Sequence, residues 1–463
     1  MSQTMSSESQ LSHTISSNID LLSAWIESQM AYRELPGLSI GVVHGQELIW
    51  ARGFGLQDIE KQARATPQTV YRIASITKLF TSTAIMILRD AGKLQLDDPV
   101  RHHLPWFEIQ NPFDGAPDIT IRQLLTHTSG LPREAPFPYW SDARFPTAEE
   151  VRENLPEQRS ALPPEKRWKY SNLALSMAGE IVAAASGQEY ADFIEQRILD
   201  PLDMKSTSVR SPDPSAPALA TGYGRKLPGG NRGDVSFTDS KGITAAANMA
   251  TSVEDLTKFA MLQFCEDDDE RILRHATRRE MQRVHWLDPD WKAGWGIGFR
   301  VSRQRGKTFI GHGGAVPGYR THLRLCPDDR IGVIVLTNSD DGNPDRYIEK
   351  ASAWLSPAIL RTQSEPDADL DPAWQAYVGR YRNAWNDMQV LVLDGELVLI
   401  DPSLQDPKPT LTKLKPAGEH SFRMESKSGS LSIGELAVFD VDDSGAVKEL
   451  KVGQSLTWPI EAW

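Results

Sequence analysis

Strand-forming sequence brackets a helical middle in this chain, and that order limits the folds open to it. Leu38-Ser-Ile-Gly-Val-Val43, a turn at His44-Gly45-Gln46 and Glu47-Leu-Ile-Trp-Ala51 read as an antiparallel hairpin. From about residue 100 to 300 the pattern changes to helical pieces and long loops rich in Pro and Gly. Helices are expected over Ile121–Leu125, Leu173–Ala185, Tyr190–Ile198 and Val253–Phe264, the last capped by Ser252. Strands return at Gly296–Val301, Thr308–Gly311, Thr321–Leu325 and Ile331–Thr337. The natural assembly is one antiparallel sheet built from both ends, with helices on its face and a helical lobe inserted between.

The flanks differ in character. Residues 1–17 are rich in Ser, Gln and Thr and read as a disordered tail. Asn18 or Asp20 then caps a helix carrying Leu21, Leu22, Trp25, Ile26 and Met30, which Pro36-Gly37 ends. Beyond Ile331–Thr337, a linker rich in Asp, Glu and Pro (363–372) precedes a different pattern. Met388–Leu393, Asp394-Gly395 and Glu396–Ile400 give the strongest hairpin signal in the chain. Short strands at Leu436–Val441 and Ala446–Val452 make this final segment a small antiparallel β-barrel or sandwich. The domain plan is therefore a tail over 1–17, a main domain over 18–362 and a C-terminal β domain over 363–463, in keeping with 463 residues.

Composition excludes several functions. A formal charge of −12 argues against nucleic-acid or anionic-membrane partners, and Arg278-Arg279 is a short solvated cluster. Cys265 and Cys326 are the only cysteines, too few for a metal set or a disulfide framework, and read as reduced thiols. No basic start with an apolar core marks a signal peptide, and no apolar run is long enough to span a bilayer. The expected location is the cytoplasm.

One Ser-x-x-Lys occurs in the chain, Ser75-Ile76-Thr77-Lys78, at the head of the apolar run Leu79–Leu88. Residues three apart share a helix face, so Lys78 would hang beside the Ser75 hydroxyl. Serine needs a base to become nucleophilic, and Ser-Lys is an established pairing. Lysine ordinarily titrates near pH ~10.4, so burial or nearby cations must lower it before it can accept a proton. A helix start also offers free N–H groups to a developing oxyanion.

Two further segments carry polar chemistry. Tyr170-Ser171-Asn172 precedes the helix at Leu173, and in an extended segment positions i and i+2 face the same way. Tyr170 could relay a proton there while Asn172 orients substrate or Lys78. Tyr381-Arg382-Asn383 fits the same tripeptide in the C-terminal domain, where only a structural role is expected. In Gly311-His312-Gly313-Gly314-Ala315 the glycines allow close approach beside a strand, and the Ala315 N–H is a candidate oxyanion donor. His312 is open to three readings: a cation, a proton donor or a turn residue.

The three segments in this order resemble the serine β-lactamase and penicillin-binding-protein family, whose pattern is Ser-x-x-Lys, Ser/Tyr-x-Asn and Lys/His-x-Gly on a strand. Longer stretches fit its class C-like branch: Pro36–Val43, Tyr71–Lys78, Leu124–Pro132 and Gly311–Tyr319. The resemblance covers about residues 20 to 360. It implies an α/β domain, an antiparallel sheet flanked by helices, plus an all-α lobe with the site between them. It also implies a lipocalin-like barrel at the C-terminus. Ser75 would be the acylated nucleophile, Lys78 its base and Tyr170 the shared acid/base. Asn172, His312, Gly313, Gly314 and Ala315 would line the substrate, with Ser75 and Ala315 N–H groups as the oxyanion hole.

Two departures bear on substrate. His312 stands where β-lactamases usually carry Lys, which weakens an anchor for a β-lactam carboxylate and points to the esterase and D-amino-acid peptidase members. Ala245-Ala-Ala-Asn-Met249 stands where such hydrolases often carry paired glycines. His127-Thr128-Ser129-Gly130 reads as a structural turn, and His102-His103 lacks companions at metal-ligand spacing. The aromatic loop Pro136–Trp140 is either packing or a pocket rim. The expectation is a metal- and cofactor-free serine hydrolase, foremost a carboxylesterase on small substrates. A D-amino-acid or small-peptide peptidase or amidase, a weak β-lactamase and a non-catalytic scaffold are the alternatives. Its partners would be small esters, amides or short peptides, with homo-oligomerisation left open.

Overall fold

The computed structural model describes residues 11–137, 139–233, 235–266, 272–366, 371–427 and 433–461. Contacts divide the chain into two compact units, one over Pro36–Ile348 and one joining the described residues up to Leu35 with those from Glu349 onward.

In the first unit the strands run β1 (Gly37–His44), β2 (Glu47–Asp58), β3 (Ala63–Arg64), β4 (Val70–Arg72), β5 (Ala250–Ser252), β6 (Trp286–Leu287), β7 (Ala293–Trp295), β8 (Arg300–Gln304), β9 (Lys307–Val316), β10 (Tyr319–Cys326) and β11 (Ile331–Thr337). Nine of them form one antiparallel sheet in the order β3-β2-β1-β11-β10-β9-β8-β7-β6, while β4 pairs with β5. The two strand blocks meet at β1 and β11, where Ile40 faces Val335 and Val42 faces Val333. Every residue of β11 is buried, which explains its continuous apolar run without alternation. This seam joins sequence some three hundred positions apart, so the intervening helices form an insertion, as the order of blocks requires.

The helices that matter for the site lie in that insertion. Thr77–Asp90 is buried from Thr77 to Leu88, and Phe80 stacks on Phe259 of the helix Val253–Leu262 at 4.3 Å. Asn172–Ser186 begins where Ser171 Oγ accepts from Ala174 N at 2.9 Å and ends at Gly187 in the left-handed region. The helix at Tyr190 runs to Ile194 and widens into a π-turn over Glu195–Leu199.

The second unit closes eight strands into an antiparallel barrel: β12 (Gly379–Arg382), β13 (Asp387–Leu393), β14 (Glu396–Ile400), β15 (Thr412–Gly418), β16 (Ser421–Glu425), β17 (Leu436–Val441), β18 (Val447–Val452) and β19 (Ser455–Ile460). Its core is packed with Tyr381, Met388, Val390, Leu399, Phe422 and Phe439. Closure removes the edges that an open sandwich would leave.

The start of the chain departs from expectation. Helix His13–Arg33 begins before Asn18, because Ser12 Oγ accepts the Ile15 N–H at 3.2 Å. Residues 13–17 are therefore helical rather than tail, while the expectation for residues 1–10 falls outside the described residues. This helix belongs with the barrel: Trp25 Nε1 donates to Leu404 O at 3.0 Å, Gln29 Nε2 donates to Ser403 O at 2.9 Å, and Glu27 pairs with Arg380. The compact division falls near Leu35 and Glu349, since long-range packing outweighs position along the chain. Helix Pro344–Arg361 runs across the later boundary. Cys265 and Cys326 are free thiols. No helix among the described residues is long and apolar enough to cross a membrane.

Candidate active site

Ser75 sits in a 3₁₀ turn, Ala74–Ile76, directly ahead of the helix that carries Lys78. Ala74 is held at φ +48°, an unusual conformation for a residue with a Cβ. The turn is braced from both sides: Thr77 Oγ1 donates to Ala74 O at 2.6 Å, and Thr321 Oγ1 of β10 donates to Ile73 O at 3.2 Å. Strand β9 comes close because residue 314 is glycine; a Cβ there would lie 2.2 Å from Ile73 O.

Lys78 Nζ lies 3.0 Å from Ser75 Oγ and donates to Ala246 O at 2.7 Å. The lysine is 1% exposed, and burial pulls its amine well below the usual lysine range, with Arg133 adding to the effect. Ala246 belongs to the short helix Thr244–Ala247, held by Thr81 Oγ1 donating to Ala245 O at 2.6 Å. On its other side Gly179 leaves room for the Ala245 side chain, which a Cβ would meet at 2.4 Å. The alanines at 245–247 therefore complete one wall of the cleft where paired glycines were the expected pattern.

Tyr170 Oη donates to Ser75 Oγ at 2.8 Å. The Tyr170 segment is laced to the turn after Leu125. Lys169 N donates to His127 O at 2.8 Å, Ser171 N to His127 Nδ1 at 3.2 Å, Ser171 Oγ to Pro132 O at 2.6 Å, and Asn172 N to Arg133 O at 2.8 Å. The ring of His127 lies 4.4 Å from that of Tyr170, and Trp168 stacks on Trp295 at 5.0 Å close by. Burial pushes the Tyr170 phenol above the ordinary tyrosine range. At neutral pH this serine thus touches a protonated phenol and an amine that loses its proton readily. The shifts make the amine the group ready to take a proton and the phenol the one that keeps its own until a stronger base forms beside it.

Other expected residues take up different positions. His312 is buried, its Nδ1 donates to Gly313 O at 2.6 Å, and desolvation lowers its pKa to about 3. Desolvation thus disfavours the cation, and its place inside β9 rules out the turn residue among the three readings open to it. Its ring lies 6.2 Å from that of Tyr170. Gly313 is exposed, Gly314 lies against Ile73, and Ala315 lines a cavity of about 310 Å³ together with Ser75 and Asn172. Asn172 Nδ2 donates to Glu134 Oε1 at 2.6 Å rather than to Ser75 or Lys78. Trp140, from the aromatic loop, and Arg320 also line this cavity. Among the described residues no group of three or more His, Cys, Asp or Glu side chains could hold a metal ion.

Sequence reasoning did not find Ala246, Glu134, Trp168 or Trp295. A backbone carbonyl carries no residue signature, and the other three fall outside the three motifs. His127 is a turn residue as expected, at φ +58°, yet its ring also forms the floor beneath Tyr170.

The family model for β-lactamase matches residues 22–356. Protein flp of Staphylococcus aureus (strain MW2) is 27% identical over 341 residues, 72% of this chain and 65% of that protein, so the match spans just under two thirds of that relative. β-Lactamase-like protein 2 of Dictyostelium discoideum is 27% identical over 390 residues, 78% of this chain and 69% of that protein. The octameric penicillin-binding protein homologue from Pyrococcus abyssi is 26% identical with a TM-score of 0.63, covering 95% of this chain and 99% of its own. The D-amino acid amidase from Ochrobactrum anthropi SV3 is 27% identical with a TM-score of 0.60, covering 74% and 100%.

Proposed function

The chain belongs to the β-lactamase family, and from that premise we propose that it is a serine hydrolase cleaving an ester or amide through an acyl-enzyme on Ser75. The observation that carries this reading is the Ser75 hydroxyl held at once by Lys78 Nζ at 3.0 Å and Tyr170 Oη at 2.8 Å. Lys78, whose burial favours the unprotonated amine, takes the Ser75 proton as Oγ bonds to the carbonyl carbon. The resulting oxyanion is assigned to the N–H groups of Ser75 and Ala315. As the carbon–leaving-group bond breaks, Tyr170 gives its proton to the departing alkoxide or amine and is recharged from the Lys78 ammonium. Water then adds to the acyl carbon, losing a proton to the same pair, and Ser75 leaves with one.

Small esters are the foremost substrates. The neutral, buried His312 leaves the third motif without the cation a β-lactam carboxylate would use, so β-lactam hydrolysis ranks low. The likeness to a D-amino acid amidase supports a second reading, amide cleavage on amino-acid substrates. The likeness to an octameric homologue supports self-association.

The test is a Ser75→Ala variant assayed on p-nitrophenyl esters, with intact mass of the wild type after brief substrate exposure. Loss of turnover and an acyl mass on Ser75 are expected. Unchanged turnover in the variant would remove Ser75 from the reaction.

A further inference from the structure

Two basic side chains lie against the ring of Tyr170. The Arg133 guanidinium is 5.0 Å and Lys78 Nζ 4.9 Å from its centre. Arg133 also lines the cavity that holds Ser75, and its side chain is 62% exposed. The backbone sets its place, because Arg133 O accepts from Asn172 N at 2.8 Å, two residues beyond Tyr170. The rings of His127 at 4.4 Å and His312 at 6.2 Å bring little charge, since burial lowers the pKa of both. Lys169, next along the chain, has its amine pulled down by desolvation and by Arg133. Glu134 Oε1 lies 3.6 Å from Arg133 Nε, but it also accepts from Asn172 Nδ2 at 2.6 Å and Trp140 Nε1 at 3.3 Å, which spreads its charge. Burial favours the unprotonated form of Lys78, so the guanidinium is the lasting positive charge at this ring.

We propose that Arg133 is a positioning residue for proton transfer, its fixed charge favouring the phenolate that Tyr170 becomes while it protonates the leaving group. This rests on the acyl-enzyme reading of Ser75 and adds a residue to it. In that step the Tyr170 O–H breaks as an O–H or N–H forms on the departing group, and a Lys78 N–H then returns a proton to the phenolate oxygen. Between the two transfers a negative charge rests on Tyr170. Burial pushes the phenol above the ordinary tyrosine range, which opposes that charge. A guanidinium against the ring offsets the penalty by attraction to the electron-rich face and oxygen. The Lys78 ammonium formed during attack acts in the same sense, but it is spent in recharging Tyr170; Arg133 is not. Water screens an exposed cation. A substrate filling the cavity of about 310 Å³ displaces that water and strengthens the attraction.

The test uses leaving groups that differ in their need for a proton. p-Nitrophenolate departs without one, whereas ethoxide requires it. Arg133→Met should lower kcat/KM about tenfold or more for ethyl butyrate and less than about threefold for p-nitrophenyl butyrate. Arg133→Lys keeps the charge and should retain at least about a third of the wild-type rate on the ethyl ester. Equal losses on both esters, an unchanged ethyl ester rate, or an R133K as poor as R133M overturns the inference. A wild type that turns over only the p-nitrophenyl ester has no leaving-group proton to give, and overturns it too. Should R133M not fold, R133Q, which keeps a polar head on the exposed stem, carries the same comparison. Fluorophosphonate labelling of Ser75 separates the two levels. Fluoride also leaves without a proton, so R133M should label about as fast as wild type. Labelling with Ser75-dependent turnover but no leaving-group effect defeats the role of Arg133 alone, whereas no labelling of wild type defeats the hydrolase reading itself.

Discussion

Lys78 Nζ is bonded at 2.7 Å to the carbonyl of Ala246, 168 positions further along the chain. That bond takes one hydrogen of the amine and fixes its position, leaving its remaining valence beside Ser75 Oγ. A wall of the cleft therefore orients the base.

Lys78 should set the pH profile. It accepts a proton only when neutral, so kcat/KM should rise with pH and level off well below the ordinary lysine range, because burial lowers its pKa. The sign for stability is the same. Between the folded-state pKa and about 10.4 the unfolded chain holds a proton that the folded one does not, so stability is gained as pH rises through that window. Lys78→Met should be inactive. The melting temperature of that variant minus that of wild type should shrink steadily from pH 7 toward 10; a pH-independent difference would contradict a neutral Lys78.

Tyr170→Phe keeps the ring packed against His127 and removes only the hydroxyl 2.8 Å from Ser75 Oγ. Turnover of small esters should fall by about 10²–10⁴ with the melting temperature nearly kept. A rate within a few-fold of wild type would take Tyr170 out of the proton path.

Neither His127 nor His312 should titrate in the usual histidine range. Both are buried, and desolvation holds His127 well below its ordinary value and His312 at about 3. NMR of the ring protons between about pH 5 and 8 should show both flat. A titrating His312 would restore the cation that the geometry denies it.

The two adjacent glycines of β9 should respond differently to alanine. At Gly314 a Cβ would meet Ile73 O at 2.2 Å and Thr321 Oγ1 at 2.3 Å, pushing the strand off the Ser75 turn. At Gly313 the nearest atom is Thr321 O at 3.7 Å. Denaturant unfolding should show G314A losing about 1–3 kcal/mol, and G313A much less. Equal losses would mean that the close approach is not what requires glycine.

Removing the barrel should disturb the first helix. A chain ending after Arg361 leaves Trp25 Nε1 without Leu404 O, Gln29 without Ser403 O and Glu27 without Arg380. Limited proteolysis should then cut within residues 13–33, which full-length protein protects. Equal protection in both would show that the helix does not depend on the barrel.

The sequence by itself determined whatever depends on neighbours along the chain. The three-residue spacing places Lys78 one turn from Ser75, the cap at Ser171 starts the helix after Tyr170, and Asp394-Gly395 closes the β13–β14 hairpin. The order of strand blocks also determined that the main sheet closes through a large insertion, because such strands have no other partners of their kind. Tertiary structure alone decided the rest. It brought Tyr170 to Ser75 across 95 positions, chose Ala246 as the anchor of Lys78, and turned Asn172 toward Glu134. It also joined the first helix to the barrel and kept His312 neutral. The physical reason is that protonation and hydrogen-bond pairing follow from burial and distance in space, which residue identity and spacing do not encode over such separations.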